Sequence, residues 1–215
     1  MTFSLLISDS TRSFMVAASA TKTLSVGAHV LALRPGVGGV LSQALTNPLL
    51  RGRSLAGLEQ GLDPAAAIDQ ALANDSEIEA RQVALMNLTG EAASRTGSAC
   101  LDAVAQQTGS GFVVIGNLLK HESVIGAMTE EYAEVTGLEE LCKLAMRMMF
   151  AGEKAGGDSR GVQSAAILGR DMSGTADEFS VAEIDIRVDD NHQPLLELDR
   201  ILDLALKELP LRLKS

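Results

Sequence analysis

Thr2 is the residue in this chain that needs the least help to do covalent chemistry. A threonine hydroxyl is a weak nucleophile at neutral pH and needs a base to take its proton. Removal of Met1, expected where the second residue is small, leaves Thr2 with a free α-amine of pKa about 8. Nucleophile and base then sit on one residue. A lysine nearby would lower the pKa further and favour the neutral amine. Many chains begin with such a threonine, so its weight depends on what the fold brings to it.

Two loops hold further candidates. The stretch Gly156-Gly157-Asp158-Ser159-Arg160-Gly161-Val162-Gln163-Ser164 gathers glycines, an acid, a base and an amide between a helical and a strand pattern. Its glycines allow backbone conformations closed to other residues, and the Arg160 guanidinium can fork a carboxylate or phosphate. The plainer reading is a helix C-cap and turn in which Asp158 and Arg160 pair for structure. Asp189-Asp190 follows a strand and could hold a cation or capture an amine; an acidic strand end before a loop is the simpler account. Asn117, just past the apolar run Phe112 to Ile115, offers an amide donor at a strand end or merely shapes a loop.

Other chemistries lack their residues. Gly36-Val37-Gly38-Gly39 is not followed by Gly-Lys-Ser/Thr and does not fit G-x-G-x-x-G, which removes a phosphate loop and a dinucleotide fingerprint. No G-x-S-x-G elbow is present. His29, His121 and His192 lie far apart, and Cys100 and Cys142 have no ligand spacing, so no metal site and no cofactor are expected. A hard cation on Asp158, Asp189 and Asp190 would require those carboxylates to converge.

The elements that must position these residues follow from pattern. Thr2 to Asp9 and Ser13 to Ala20 read as a hairpin about Ser10-Thr11-Arg12. Ala28 to Leu33 reads as a strand, and Val37 to Leu41 as a glycine-interrupted one that another backbone approaches closely. Asn47-Pro48 and Asp63-Pro64 each open a helix, ending near Gly61 and Asn74. Arg81 to Asn87 and Glu91 to Thr96 form a second hairpin, and Phe112 to Ile115 a buried strand. Val124, Ile125, Met128 and Tyr132 mark one amphipathic helix; Leu138, Leu141, Cys142, Ala145, Met148 and Met149 mark another. Cys142 on that stripe reads as a buried inert thiol. Ser164 to Leu168 and Glu183 to Val188 return to strands, the latter alternating apolar and charged. Leu198 to Leu209 closes the chain as a helix. Hairpins outnumber βαβ units, which favours antiparallel sheets with helices outside them.

Composition bounds the rest. The 215 residues suit a single domain, 1–215, with an aliphatic core, since 46% are hydrophobic but only 3% aromatic. A charge of −10 with dispersed basic residues argues against nucleic acid as partner. No secretory signal opens the chain, no apolar run reaches the roughly 20 residues of a membrane helix, and few cysteines suit a reducing cytoplasm. Homodimerisation fits an aliphatic-rich chain of this size.

Several segments in order are similar to one bacterial family, the domain of unknown function 1028. They are Thr2-Phe3-Ser4-Leu5, Val26-Gly27-Ala28, Gly36-Val37-Gly38-Gly39 running on to Gln43-Ala44, Arg81-Gln82-Val83 and Gly116-Asn117-Leu118-Leu119. Gly156 to Ala166 and Arg187-Val188-Asp189-Asp190 are the most distinctive. The resemblance implies an α+β fold, a four-layer αββα sandwich of two mostly antiparallel sheets with outer helices, like that of N-terminal-nucleophile hydrolases. It implies that Thr2 is nucleophile and base, that Lys22 tunes the amine, and that Asn117 or a strand-edge amide stabilises the oxyanion. The expectation is therefore a cytoplasmic amide hydrolase acting on a small polar metabolite. Thr2, the Gly156 to Ser164 loop and Asp189-Asp190 would form its pocket, with Arg160 anchoring a substrate carboxylate. The alternative is a non-catalytic ligand-binding or scaffolding protein that keeps the fold.

Overall fold

The computed structural model describes residues 2–101, 103–174 and 181–212. Strands β1 (Thr2–Ser8) and β2 (Phe14–Thr21) form the expected hairpin. A short helical turn, α1 (Val26–His29), then leads to β3 (Leu31–Arg34) and β4 (Gly38–Ala44). Helices α2 (Leu49–Glu59) and α3 (Pro64–Leu72) precede the hairpin β5 (Arg81–Asn87) and β6 (Ala92–Thr96). Next come β7 (Ala105–Gly109), β8 (Phe112–Asn117), α4 (Ser123–Glu130) and α5 (Leu138–Lys154). Strands β9 (Ser164–Asp171) and β10 (Ile184–Val188) and helix α6 (Pro194–Arg212) complete the described chain.

The strands form two antiparallel sheets, a six-stranded one ordered β10-β9-β2-β1-β8-β7 and a four-stranded one ordered β3-β4-β5-β6. Side-chain parity stacks them. On β1, Phe3, Leu5 and Ile7 face α4, α5 and α6, while Leu6 faces Leu33, Leu41 and Met86 of the other sheet. The outer face of the smaller sheet, with Val40, Val83 and Leu85, is covered by Leu50, Leu55, Ile68 and Leu72 of α2 and α3. The order of layers is helices, sheet, sheet, helices. A strand buried on both faces has no solvent side, and so β1 reads as an almost unbroken apolar run.

Local chemistry explains most boundaries. Asp63 caps α3 by accepting the Ala66 N–H at 2.8 Å, with Pro64 in the first turn. The methionine stripe of α5 is core, and the Cys142 thiol within it is pushed up to about 12 by burial. A Cβ on Gly38 would lie 2.3 Å from the Met86 carbonyl oxygen, the close backbone approach expected of that strand. One reading changes, and one strand, β7, had no reading at all. The strand placed at Ala28 to Leu33 begins only at Leu31, because Ser25 turns left-handed (φ 58°) and Val26–His29 coil against β9. Strand β7, with its exposed Gln106 and Gln107, carries no apolar alternation because it is a sheet edge. Among the described residues no helix is long and apolar enough to cross a membrane.

Candidate functional site

At the end of the large sheet where β1 begins, four polar residues stand in register: Ser164 of β9, Thr21 of β2, Thr2 of β1 and Asn117 of β8. They share the parity of Leu6, Ala17, Ile115 and Ala166, so they face the gap between the sheets. The Thr2 hydroxyl donates to Thr21 Oγ1 at 3.3 Å. One row deeper, Ser4 Oγ lies 2.7 Å from Ser19 Oγ and donates to Gln43 Oε1 at 2.6 Å. Since Ser4 has one proton, Ser19 must be the donor in their pair.

The facing sheet closes the network. Gln43 Nε2 donates to Gln82 Oε1 at 2.7 Å and to the Thr2 carbonyl at 3.3 Å. Gln82 Nε2 donates to the Gly116 carbonyl and to Thr96 Oγ1, both at 2.9 Å. Asn117 Nδ2 donates to Gln82 Oε1 at 3.0 Å. Both glutamines and Asn117 are buried. A polar group buried without a partner costs about 1–3 kcal/mol, so these inward amides must be satisfied together, and here they are.

The Gly156 to Ser164 loop runs past the same sheet end. Gly156 (φ 119°) and Gly157 (φ 46°) terminate α5, the conformations for which glycine is needed. The Asp158 carboxylate is wholly buried and accepts the Lys22 N–H at 3.0 Å, just beyond β2. On its other side Asp158 bridges to Leu119, and Lys120 N–H donates to the Gly157 carbonyl at 3.0 Å, just beyond β8. Strand β1 lies between β2 and β8, so this loop spans the position where Thr2 begins the strand. Arg160 folds back on Asp158, with its backbone N–H at 2.8 Å and its Nη2 at 3.3 Å. Ser164 Oγ donates to the Thr23 carbonyl at 2.6 Å and accepts the Val26 N–H at 3.2 Å.

The structure therefore brings Thr2 and Asn117 side by side and places Asp158 and Ser164 around them as ties between strands. The Lys22 side chain is exposed, and its recorded bond to this loop is through its backbone. Arg160 is half-exposed and turned to Asp158. Asp189 and Asp190 are exposed at the end of β10, three strand spacings or roughly 14 Å from β1. Asp190 accepts the Gln163 amide at 3.0 Å. Among the described residues no three histidine, cysteine or acidic side chains group as metal ligands. Thr21, Ser4, Ser19, Gln43 and Gln82 join the site unannounced; their signal was an isolated polar residue at an inward position of an otherwise apolar strand.

Beside Asn117 a cavity of about 340 Å³ opens between the sheets, lined by Ala44, Leu45, Ala80, Ala99, Cys100, Leu101, Asn117 and Leu118. Ala44 (φ 71°) and Leu118 (φ 51°) hold left-handed backbone in its wall. Burial pushes the Cys100 thiol up, away from thiolate reactivity.

The model of a family described as "Family of unknown function (DUF1028)" matches residues 2–198. A crystal structure from Silicibacter pomeroyi, assigned to the same family, superposes with a TM-score of 0.82 at 29% identity, covering 95% of this chain and 88% of that one. Weaker similarity extends to the ancestral beta-subunit Anbu from Yersinia bercovieri, at 12% identity and TM-score 0.45 with 96% of each chain covered. An Anbu (Gly-1) mutant from Hyphomicrobium sp. strain MC1 gives 14% identity and TM-score 0.48, covering 97% of this chain and 96% of that one. No curated protein matches the chain.

Proposed function

The chain belongs to the DUF1028 family, a family of unknown function, and on that premise we propose that it is an amide-bond hydrolase of the N-terminal-nucleophile type, with Thr2 as nucleophile and base. The observation that carries this reading is the position of Thr2: first in a central strand, its hydroxyl inside the inter-sheet gap, with the Asn117 amide on the adjacent strand. The resemblance to N-terminal-nucleophile hydrolases supplies the reaction type, and the helix-sheet-sheet-helix layering is compatible with it.

The chemistry requires that Met1, which lies outside the described residues, be removed. The freed α-amine takes the Thr2 hydroxyl proton as Oγ1 attacks the substrate carbonyl. Asn117 Nδ2 has one N–H committed to Gln82 and a second to offer the developing oxyanion. Collapse expels the amine leaving group, which receives the proton, and leaves an ester on Thr2. Water, deprotonated by the same α-amine, then hydrolyses the ester and restores the residue. Lys22 follows the ladder partner of Thr2, but its side chain is exposed, and the mechanism assigns it no step. Two free thiols suit the reducing cytoplasm in which we place the enzyme.

A second reading rests on a different observation. Thr2 is only 7% exposed and its hydroxyl is given to Thr21, the arrangement expected if the fold is kept as a non-catalytic binding protein. A panel of small amides assayed with the untagged protein and with Thr2→Ala separates the two. Turnover by the parent and none by a folded Thr2→Ala supports the hydrolase. Amides bound and recovered intact by both proteins support the binding protein.

A further inference from the structure

We infer that the cavity beside Asn117 is the substrate subsite, and that it takes an uncharged, small aliphatic group rather than a carboxylated one. The inference rests on the hydrolase reading for the meaning of "substrate", while its binding test does not depend on turnover.

The lining decides the chemistry. Ala44, Leu45, Ala80, Ala99, Leu101 and Leu118 present hydrocarbon, and none of the lining side chains is formally charged. Leu45 and Leu101 are large apolar side chains that are 53% and 66% exposed, so they form an apolar rim. At about 340 Å³ the cavity sits near the low end of the roughly 300–1,000 Å³ typical of ligand sites. It suits a small group.

The nearby charges are already spent. Arg81 pairs with buried Asp75 at 3.0 Å, and its guanidinium also donates to the Leu45 carbonyl. Glu79 accepts from Arg95 at 2.9 Å and from the Ser98 N–H at 2.8 Å. Arg160, the cation first expected to anchor a carboxylate, is held by Asp158. A carboxylate entering the cavity would be desolvated among side chains that carry no charge, which is costly. The −10 charge of the chain adds long-range repulsion.

The cavity is also preformed. Leu45 N–H donates to the Ala80 carbonyl at 3.1 Å, and Leu118 N–H to the Leu101 carbonyl at 3.2 Å. Left-handed backbone at Ala44 and Leu118 is strain of the kind that collects at ligand sites. A group seated there lies next to Asn117 and one strand from Thr2, so an amide carrying it meets both.

The test compares hexanamide with adipamate, amides of equal chain length that end in a methyl or a carboxylate. Calorimetry is run on the parent chain, on Thr2→Ala and on Ala99→Leu, whose exposed position tolerates the larger side chain while its bulk enters the cavity. The expected result is hexanamide binding at least ~10-fold tighter than adipamate. Affinity should be retained in Thr2→Ala and lost in Ala99→Leu. Equal or tighter binding of adipamate, no binding of hexanamide, or binding untouched by Ala99→Leu overturns the inference. Hydrolysis of the two p-nitroanilides keeps the readings apart. Selective hexanamide binding without anilide turnover sinks the N-terminal mechanism alone; turnover that favours the carboxylated anilide sinks the subsite alone.

Discussion

Thr2 and Asn117 stand directly opposite each other across the β1–β8 ladder, and the Asn117 amide is oriented by Gln82 of the other sheet rather than by Thr2. A donor held in place by a third residue is preorganised, and it spends nothing on reorientation when charge develops beside it.

Asn117→Ala should therefore lower kcat by about 100- to 1,000-fold with a small change in KM. The accompanying stability loss should be about 1 kcal/mol, because Gln82 Oε1 keeps Gln43 as a donor. Steady-state kinetics beside urea melts check both numbers. A loss of kcat that merely tracks unfolding would remove Asn117 from the chemistry.

Gln43→Leu tests the network beneath. It leaves Ser4 Oγ with Ser19 alone and removes a donor from Gln82 and from the Thr2 carbonyl, all buried. The expected cost is roughly 2–4 kcal/mol. Adding Ser4→Ala should recover part of it, since residues in one network are not additive. Purely additive losses would mean that the two side chains do not share a network.

The loop past β1 gives contrasting variants. Asp158→Ala removes a wholly buried acceptor of the Lys22 N–H and should destabilise by about 2 kcal/mol. Arg160→Ala removes a half-exposed partner and should cost less than ~1 kcal/mol, with turnover of uncharged amides unchanged. Equal damage from both changes would contradict the assignment of Asp158 as the tie and Arg160 as its accessory.

Acid should loosen the cavity wall first. Burial by itself would raise the Asp75 carboxyl, but hydrogen bonds from Asn47, Arg81 and the Glu77 N–H outweigh it and hold the group below its usual 3.8. Glu79 is lowered to about 2, chiefly by the Ser98 N–H and hydroxyl and by Arg95. A carboxyl depressed by folding stabilises above its unfolded pKa and loses that contribution as pH falls through the folded one. Both contributions are thus full above about pH 5 and fade through the acid range below it. Urea midpoints measured against pH should stay level from 7 to about 5 and then fall. Asp75→Asn should be weaker than the parent at pH 7, with the gap closing in acid. A gap that widens in acid would reverse the sign.

The sequence disclosed the hairpins, the late helices and the aliphatic layers because each has a period that burial imposes. Thr2 and Asn117 were visible as residue types, whereas their pairing depends on β1 and β8 becoming neighbours across more than a hundred residues. Gln43 and Gln82 looked like minor polar interruptions until the two sheets were stacked. Lys22, Asp189 and Asp190 were near the site in pattern, yet strand parity and sheet width set their side chains apart from it. The cavity beside Asn117 had no local signal, since its walls come from four separated stretches of chain.

The central claim concerns the mature start of the chain, and the N-terminal tryptic peptide ending at Arg12 reports on it directly. Active, untagged protein is mixed with hexanoyl p-nitroanilide, quenched in acid, digested and weighed. The account requires a peptide that begins at Thr2 and carries a hexanoyl ester on that residue. A peptide that begins at Met1 in protein that still turns over the anilide would contradict it.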